Sequence, residues 1–332
     1  MPSLPVPGPR GALPAPILLN AAMIIAAAGA LALALRAPLA LTVLGLIAFG
    51  VLHNVLELRY VAGRFAAVLT GRFLILLVIL ISGIVACRLI AGYQPAIAKY
   101  AEVGLGYLVL GVGCWYGLRG RRLVVALLVL AVAAVGSFGW PSYHFVMLTH
   151  LHNLVPLVFL WEWARRIPGP ARGWFRASQV LWVLVVPALI LAGAVDPLIV
   201  ADPGVVAGFV GDGTRVIAAS APPDASVTIG LRLLVIFAFL QTMHYVVWVG
   251  FLPRFAPEAA AAFDARVPWL RGWRTWAVGA AGGVFLAALF LSDYFAGKAL
   301  YGALASYHAY LEFPVLLALL MTPVPQTRTN LS

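Results

Sequence analysis

The chain has few of the features that define soluble or disulfide-stabilised proteins. Of its 332 residues, two are cysteine and 10% are charged, with only 11 aspartates and glutamates in total. Both cysteines, Cys87 and Cys114, lie in apolar runs, which argues against a disulfide framework and a thiolate zinc site. No polar stretch is long enough to form a soluble domain, although the length alone would accommodate two.

Apolar residues, in contrast, are abundant. They make up 63% of the chain, and the mean hydropathy is +1.01. A soluble domain cannot bury that much apolar surface, so the composition predicts an all-α, polytopic transmembrane helix bundle. The net charge of +11 does not indicate nucleic-acid binding, because the basic residues fall in short loops between apolar runs, as is typical of membrane proteins.

Hydropathy over a window of about twenty residues predicts ten membrane spans. We expect a single helical domain at 16–321, preceded by a proline-rich tail at 1–15 and followed by a tail at 322–332. The fifth span is short, which suggests that it is tilted or partly interfacial, and the first is interpreted as a retained helix rather than a cleaved signal. The predicted spans are 16–35, 38–58, 73–92, 101–118, 123–137, 143–163, 178–195, 229–250, 275–292 and 301–321.

The distribution of basic residues predicts the orientation. Of the 22 lysines and arginines, 16 fall on one side of the predicted membrane and six on the other. The positive-inside rule then places both termini in the cytoplasm, and we expect an integral protein of a bacterial-type inner (cytoplasmic) membrane. The six predicted outer residues are Arg36, Arg88, Lys99, Arg215, Arg232 and Lys298.

The longest predicted outer loop, at about 196–227, contains the glycine-rich sequence GFVGDGTRV. A phosphate-binding loop requires a preceding strand, a following helix and a lysine at a fixed offset, and none of these is predicted here. The loop is therefore predicted to be a flexible connector or a cap over the membrane surface.

All six histidines fall within predicted spans, and none falls in a loop. An ionisable group in lipid costs roughly 2–3 kcal/mol or more and usually faces a bundle interior or a functional cavity. The spans that carry histidine are the second, sixth, eighth and tenth, which all run in the same direction. Imidazoles from four helices that face one interior indicate a metal or cofactor site. The histidines are His53, His144, His150, His152, His244 and His308.

Two glutamates strengthen this interpretation. His53 precedes Glu57 by four residues and His308 precedes Glu312 by four, so each pair shares a helix face. Taken alone, either pair is more consistent with a structural hydrogen bond than with a metal site. Imidazole with carboxylate suits iron, manganese or zinc, and the lack of thiolates favours non-haem iron over an iron–sulfur centre.

The sixth span offers three histidines, of which His150 and His152 project about 200° apart on a helix and cannot both face one metal. His152 is preferred, whereas His144 lies nearer the outer end, where it is either a ligand or simply hydrated. Pro156, four residues after His152, is expected to free the His152 carbonyl and kink the helix, and Pro314 has the same relation to Tyr310. The candidate metal ligands are His53, His144, His152, His244, His308, Glu57 and Glu312.

Two short motifs resemble a known family. The segment 50–57, GVLHNVLE, and the segment 142–145, SYHF, resemble motifs of the bacteriorhodopsin-related (Brp/Blh) family of bacterial membrane β-carotene 15,15′-dioxygenases. The resemblance implies that His53 and His144 bind a ferrous iron that cleaves a carotenoid with dioxygen. The chain departs from the family pattern at Asn54, at Glu57, and at Trp248, where a second histidine is expected.

The leading prediction is therefore an intramembrane, multi-histidine metalloprotein, most consistent with a non-haem iron oxygenase that acts on a lipophilic substrate, carotenoid-like or lipid, taken from the bilayer. Ferrous iron is the expected cofactor, with another divalent metal or haem as alternatives. A b-type haem protein and a proton-relay transporter built on histidine and glutamate are the competing functions. Apart from membrane lipids and this substrate no partner is predicted, nucleic acid is excluded, and the oligomeric state stays open.

Overall fold

The computed structural model describes residues 16–321, and the predicted tails at 1–15 and 322–332 lie outside the described residues. Within 16–321 the chain is helical and contains no strand, which confirms the all-α class. Ten long helical segments follow one another: α1 (Pro16–Arg36), α2 (Pro38–Arg64), α3 (Gly71–Ile90), α4 (Pro95–Gly117), α5 (Gly120–Gly139), α6 (Pro141–Arg166), α7 (Ala171–Leu191), α8 (Val227–Phe255), α9 (Trp273–Ser292) and α10 (Tyr294–Met321).

The length and composition of these helices identify an integral membrane protein. Segments α1 to α9 are each long and apolar enough to cross a membrane. The tenth predicted span falls inside α10, which has 28 residues. Because an α-helix rises about 1.5 Å per residue, 20 or more residues span the hydrocarbon core of about 30 Å.

Several helices extend beyond the predicted spans. Helix α4 begins at Pro95 rather than at residue 101, and α10 begins at Tyr294 rather than at residue 301. Hydropathy places a boundary where polar residues begin, whereas helix initiation depends on local signals. These signals are Pro95 in the first turn of α4 and the Asp293 carboxylate, which accepts hydrogen bonds from the amides of Phe295 and Ala296 at the start of α10. The fifth span was also predicted too short, since α5 is a full 20-residue helix with no buried residue and so lies at the periphery of the bundle.

Helices α2 and α8 form the centre of the bundle. Among the nine helices α1 to α9, α8 is the most buried: in an 18-residue apolar stretch of it, 67% of the residues lie inside the protein. α2 packs against α8 and α9, and α3 packs against α4 and α10. Aromatic side chains fill the space between α2, α6 and α8, where Tyr60, Phe159 and Trp248 meet with ring centroids 5.2 to 5.8 Å apart.

One polar helix between two membrane spans was not predicted from the sequence. Pro257–Arg266, between α8 and α9, is a ten-residue helix on the side predicted to be cytoplasmic. Proline at its start, Glu258 in its first turn and Arg266 in its last are ordinary helix signals, but a search for membrane spans passes over a short polar helix. It packs against α2, where Arg59 forms an ion pair with Asp264 at 2.7 Å.

The predicted outer loop is a folded cap. It contains short helices at Ala207–Val210 and Thr214–Ser220. Val206, Val210 and Val216 are buried in one apolar cluster with residues of α2, α8 and α9. The burial of these three valines favours the cap over the flexible connector, because the side chains of a flexible connector would remain exposed.

Three helices depart from regular α geometry near prolines, which lack a backbone donor. Helix α7 widens to a π-helical segment over Leu181–Val185, two residues before Pro187. Helix α6 is interrupted at Val155, directly before Pro156, as predicted. The carbonyl of His152 is not left free, however, because the amide of Val155 donates to it at 3.1 Å. Helix α8 widens to a π-helical segment over Val246–Phe251, immediately after His244, and such segments are frequent at functional sites.

Candidate metal centre

Four histidines from four helices meet in the interior of the bundle. They are His53 of α2, His152 of α6, His244 of α8 and His308 of α10. One nitrogen from each lies within 4.8 Å of the others. Three of the rings are 1–2% exposed, and His152 is mostly buried. Four of the histidines predicted to lie on helices that run in the same direction therefore meet at one potential metal site.

The distances suit a single ion. Neighbouring ring centroids are 4.6 to 5.2 Å apart around the group, in the order His53, His244, His152, His308. The Nε2 atoms of His152 and His308 are 3.1 Å apart. A metal with nitrogen ligands at about 2.1 Å separates opposite ligands by about 4.2 Å. The largest separation in the cluster, 4.8 Å, exceeds this by about 0.6 Å, which small side-chain rotations would close.

Two of the rings are oriented by hydrogen bonds on the nitrogen that would not face the metal. Nδ1 of His152 lies 2.7 Å from Oε2 of Glu312, and Nδ1 of His53 lies 3.1 Å from the carbonyl oxygen of Phe49. In each pair Nδ1–H donates, which fixes the tautomer and leaves Nε2 as a lone-pair donor. A carboxylate or carbonyl behind an imidazole is the usual arrangement around protein-bound metals.

The glutamates act across helices rather than within them. The sequence pairs Glu57 with His53 and Glu312 with His308, but in the structure the Glu57 carboxylate lies 3.5 Å from His244 and Glu312 bonds His152. Tertiary packing redirects each carboxylate to a neighbouring helix. Glu312, one of the candidate metal ligands, is therefore placed to orient the His152 imidazole.

Several buried polar atoms of this group have no hydrogen-bond partner. They include both nitrogens of His244, Nδ1 of His308 and both carboxylate oxygens of Glu57. A buried polar group without a partner costs about 1–3 kcal/mol, and more if it is charged. A cation bound among the nitrogens would satisfy ring lone pairs and balance the carboxylates, so these side chains fit a metal ion.

The other two histidines lie outside the group. Nδ1 of His144 is 3.0 Å from the Ser137 hydroxyl, and His144 lines a separate cavity of about 190 Å³ beside Tyr107. His150 donates from Nε2 to the carbonyl of Ser220 at 2.8 Å, which ties α6 to the outer cap. His144 was a candidate ligand, but its ring lies two helical turns from His152, so the helix cannot bring both to one ion.

The arrangement also bears on the haem alternative. A b-type haem needs two histidines on opposite faces of a flat macrocycle, with open space in the plane between them. Here all four rings surround one point, with centroids of adjacent rings no more than 5.2 Å apart. Two of the four histidines would occupy the plane of the macrocycle, so the geometry favours a single ion.

A buried ion-pair network next to the site was not identified from the sequence. Arg88 donates from Nε and Nη2 to Oε1 of Glu102 at 2.8 and 2.6 Å, and from Nη1 to the carbonyl of Gly302 at 2.6 Å. The Tyr310 hydroxyl donates to the same carboxylate oxygen at 2.9 Å. The position of Glu102 within an apolar run could have indicated this network, since an acidic residue inside a membrane span usually has a functional or structural partner.

Replacing Glu312 with glutamine tests the orienting role. The amide oxygen still accepts a hydrogen bond but carries no charge, so His152 becomes a weaker metal ligand. Loss of such an outer partner lowers metal affinity by about 10–100-fold, which competition with a fluorescent chelator would measure. Glu258→Gln, at an exposed pair with Arg166, is the matched control. Equal affinities in the two variants would rule out this role for Glu312.

Comparisons with protein-family models, with curated proteins and with solved structures find no match to this chain. The functional argument therefore depends on the chemistry and geometry of the site. What these establish is a membrane protein with a buried cluster of four histidines that could hold a metal ion.

Proposed function

We propose that this chain is a membrane metalloenzyme, a non-haem iron oxygenase that acts on a lipophilic substrate in a bacterial-type inner membrane. The observation that carries the proposal is the convergence of His53, His152, His244 and His308 within 4.8 Å. Imidazole ligands suit iron, zinc, copper and nickel. Bound ferrous iron would supply the activation of dioxygen.

The protein's own residues would supply binding, orientation and exclusion of water. A cavity of about 290 Å³ adjoins the histidines, and part of its wall consists of Leu46, Phe145, Leu148 and Phe237. An apolar wall binds a lipophilic molecule and keeps water away from reactive species. The carotenoid-like or lipid substrate implied by the sequence is compatible with this lining.

Tyr245 is placed to hold a proton beside the site. Its ring lies 4.7 Å from that of His53, and its hydroxyl accepts a hydrogen bond from Nε2 of Gln241 at 2.9 Å. Because the amide occupies a lone pair of the hydroxyl, the phenolic proton remains available to donate into the cavity. This hydroxyl would orient a polar atom of the substrate next to the histidines.

Dioxygen uptake tests the proposal. Protein purified in detergent without metal would be loaded separately with ferrous iron, manganese and zinc, and supplied with bacterial lipid extract or with β-carotene. We expect uptake and incorporation of isotope-labelled oxygen into product only with iron, and neither in His53→Ala. Uptake that is equal with zinc, or absent with both probes, would contradict an iron oxygenase.

A further inference from the structure

The cavity next to the histidines extends a long way towards the predicted outer surface. One face of α10 forms its wall, with Lys298, Tyr301, Ala305 and His308 all lining it. Lys298 and His308 are ten residues apart, which corresponds to about 15 Å along a helix. The cavity therefore has two chemically different ends, one with imidazoles and one with a lysine.

The lysine end has an excess of positive charge. Arg88 also lines the cavity, but its charge is balanced by Glu102 at 2.6 Å. Within residues 16–321, Lys298 takes part in none of the ion pairs, and no aspartate or glutamate lines the cavity. Arg215 of the outer cap lies over the ring of Phe295, with its guanidinium carbon 3.6 Å from the ring centroid, and Phe295 is one helical turn before Lys298. The nearby cap therefore adds positive charge, and no described residue forms an ion pair with the Lys298 ammonium group.

Hydrogen-bonding groups accompany the charge. The Tyr294 hydroxyl, the Thr42 hydroxyl and Oε1 of Gln241 are buried without a partner, and all three residues line the same cavity. Tyr294 is one helical turn before Lys298, so both lie on the same face of α10. A ligand with an anionic group would pair with the ammonium and accept hydrogen bonds from the two hydroxyls, which would offset the cost of burying them.

We propose that this cavity binds a long-chain amphiphile with a single anionic group, such as a carboxylate, held at Lys298 and Tyr294. The apolar wall would contact the chain, which would run towards the histidines. Because of the length of the cavity, atoms well along the chain, rather than the anionic group, would lie beside the metal centre. The inference rests on the proposed function only where it treats this molecule as the substrate, since binding requires no reaction.

Binding of radiolabelled oleate to the protein in nanodiscs of zwitterionic lipid tests the inference. The chain has two lysines, Lys99 and Lys298, so Lys99→Gln is the matched control for Lys298→Gln. We expect oleate to bind wild type and Lys99→Gln alike, and to bind Lys298→Gln about thirty-fold more weakly or worse, as when one partner of a buried charge pair is removed. Lys298→Arg, which keeps the charge, should retain binding and would show that the position tolerates substitution.

Competitors distinguish the possible ligands. Oleyl alcohol, with the same chain and no charge, should compete poorly, and inorganic phosphate should not compete at all. Equal competition by the alcohol, displacement by phosphate at similar concentration, or unchanged binding in Lys298→Gln would each overturn the inference.

Metal content measured on the same samples separates this inference from the proposed function. Lys298→Gln should contain as much metal as wild type. Oleate binding without metal would refute the metalloenzyme and leave the anion site standing, whereas metal without oleate binding would refute the anion site alone.

Discussion

Replacing His308 with alanine is expected to remove nearly all bound metal from the purified protein. Nε2 of His308 lies 3.1 Å from Nε2 of His152, and only 2% of the His308 surface is exposed, so the substitution removes a nitrogen ligand from the interior of the cluster. Loss of a residue that only orients a metal ligand lowers metal affinity by about 10–100-fold, and loss of a ligand itself should have a larger effect. Elemental mass spectrometry of the purified wild type and His308→Ala variant would measure the metal bound per protein.

The chain provides matched controls for this experiment. His144→Ala and His150→Ala remove the same side chain from helix α6, but at positions that contact Ser137 and Ser220 rather than the cluster. Both controls should keep the wild-type metal content. No metal in wild type, or equal metal in His308→Ala and the controls, would show that the four histidines are a structural cluster and would end the metalloenzyme proposal.

Replacing Glu102 with alanine is expected to lower the free energy of unfolding more than breaking an exposed ion pair would. The substitution leaves the Arg88 guanidinium without its counter-ion, and it deprives the Tyr310 hydroxyl of its acceptor. Removing one partner of a buried ion pair costs about 3–5 kcal/mol. Thermal unfolding of the detergent-solubilised variant, followed by circular dichroism, should show a clear fall in the midpoint temperature.

Two further variants identify the cause of that loss. Glu258→Ala breaks a pair whose carboxylate side chain is 51% exposed, and exposed pairs contribute about 0–1 kcal/mol, so its midpoint should hardly change. The double variant Arg88→Leu/Glu102→Leu removes both charges and should recover much of the stability, because no charge is left buried alone. Equal losses in Glu102→Ala and Glu258→Ala would contradict a buried, stabilising pair.

The sequence and the tertiary structure contributed differently to the site. The intramembrane position of every histidine, and the four codirectional helices that carry them, follow from hydropathy and the cost of polar groups in lipid. The choice of His152 over His150 follows from the 3.6-residue period of the helix. His144 was also named as a candidate ligand, but the helical period gave no reason to choose it. In the structure His144 lines another cavity.

The glutamates show why spacing along one helix is insufficient. A separation of four residues guarantees a shared face, but which helix lies opposite that face depends on packing. Glu57 and Glu312 each contact the histidine of another helix. The same limit applies to Arg88 and Glu102, whose ion pair joins α3 to α4 and reaches the backbone of α10.

The sequence by itself determined that this protein is an all-helical membrane bundle whose six histidines lie on its long helices, because a bilayer requires long apolar segments and makes polar groups within them costly. Only the tertiary structure decided which rings meet, which carboxylate faces which ring, and that a lysine shares a cavity with the histidines. These relations join residues up to 255 positions apart, as with His53 and His308. They are set by the packing of helix against helix, which the pattern of residues within one helix does not specify.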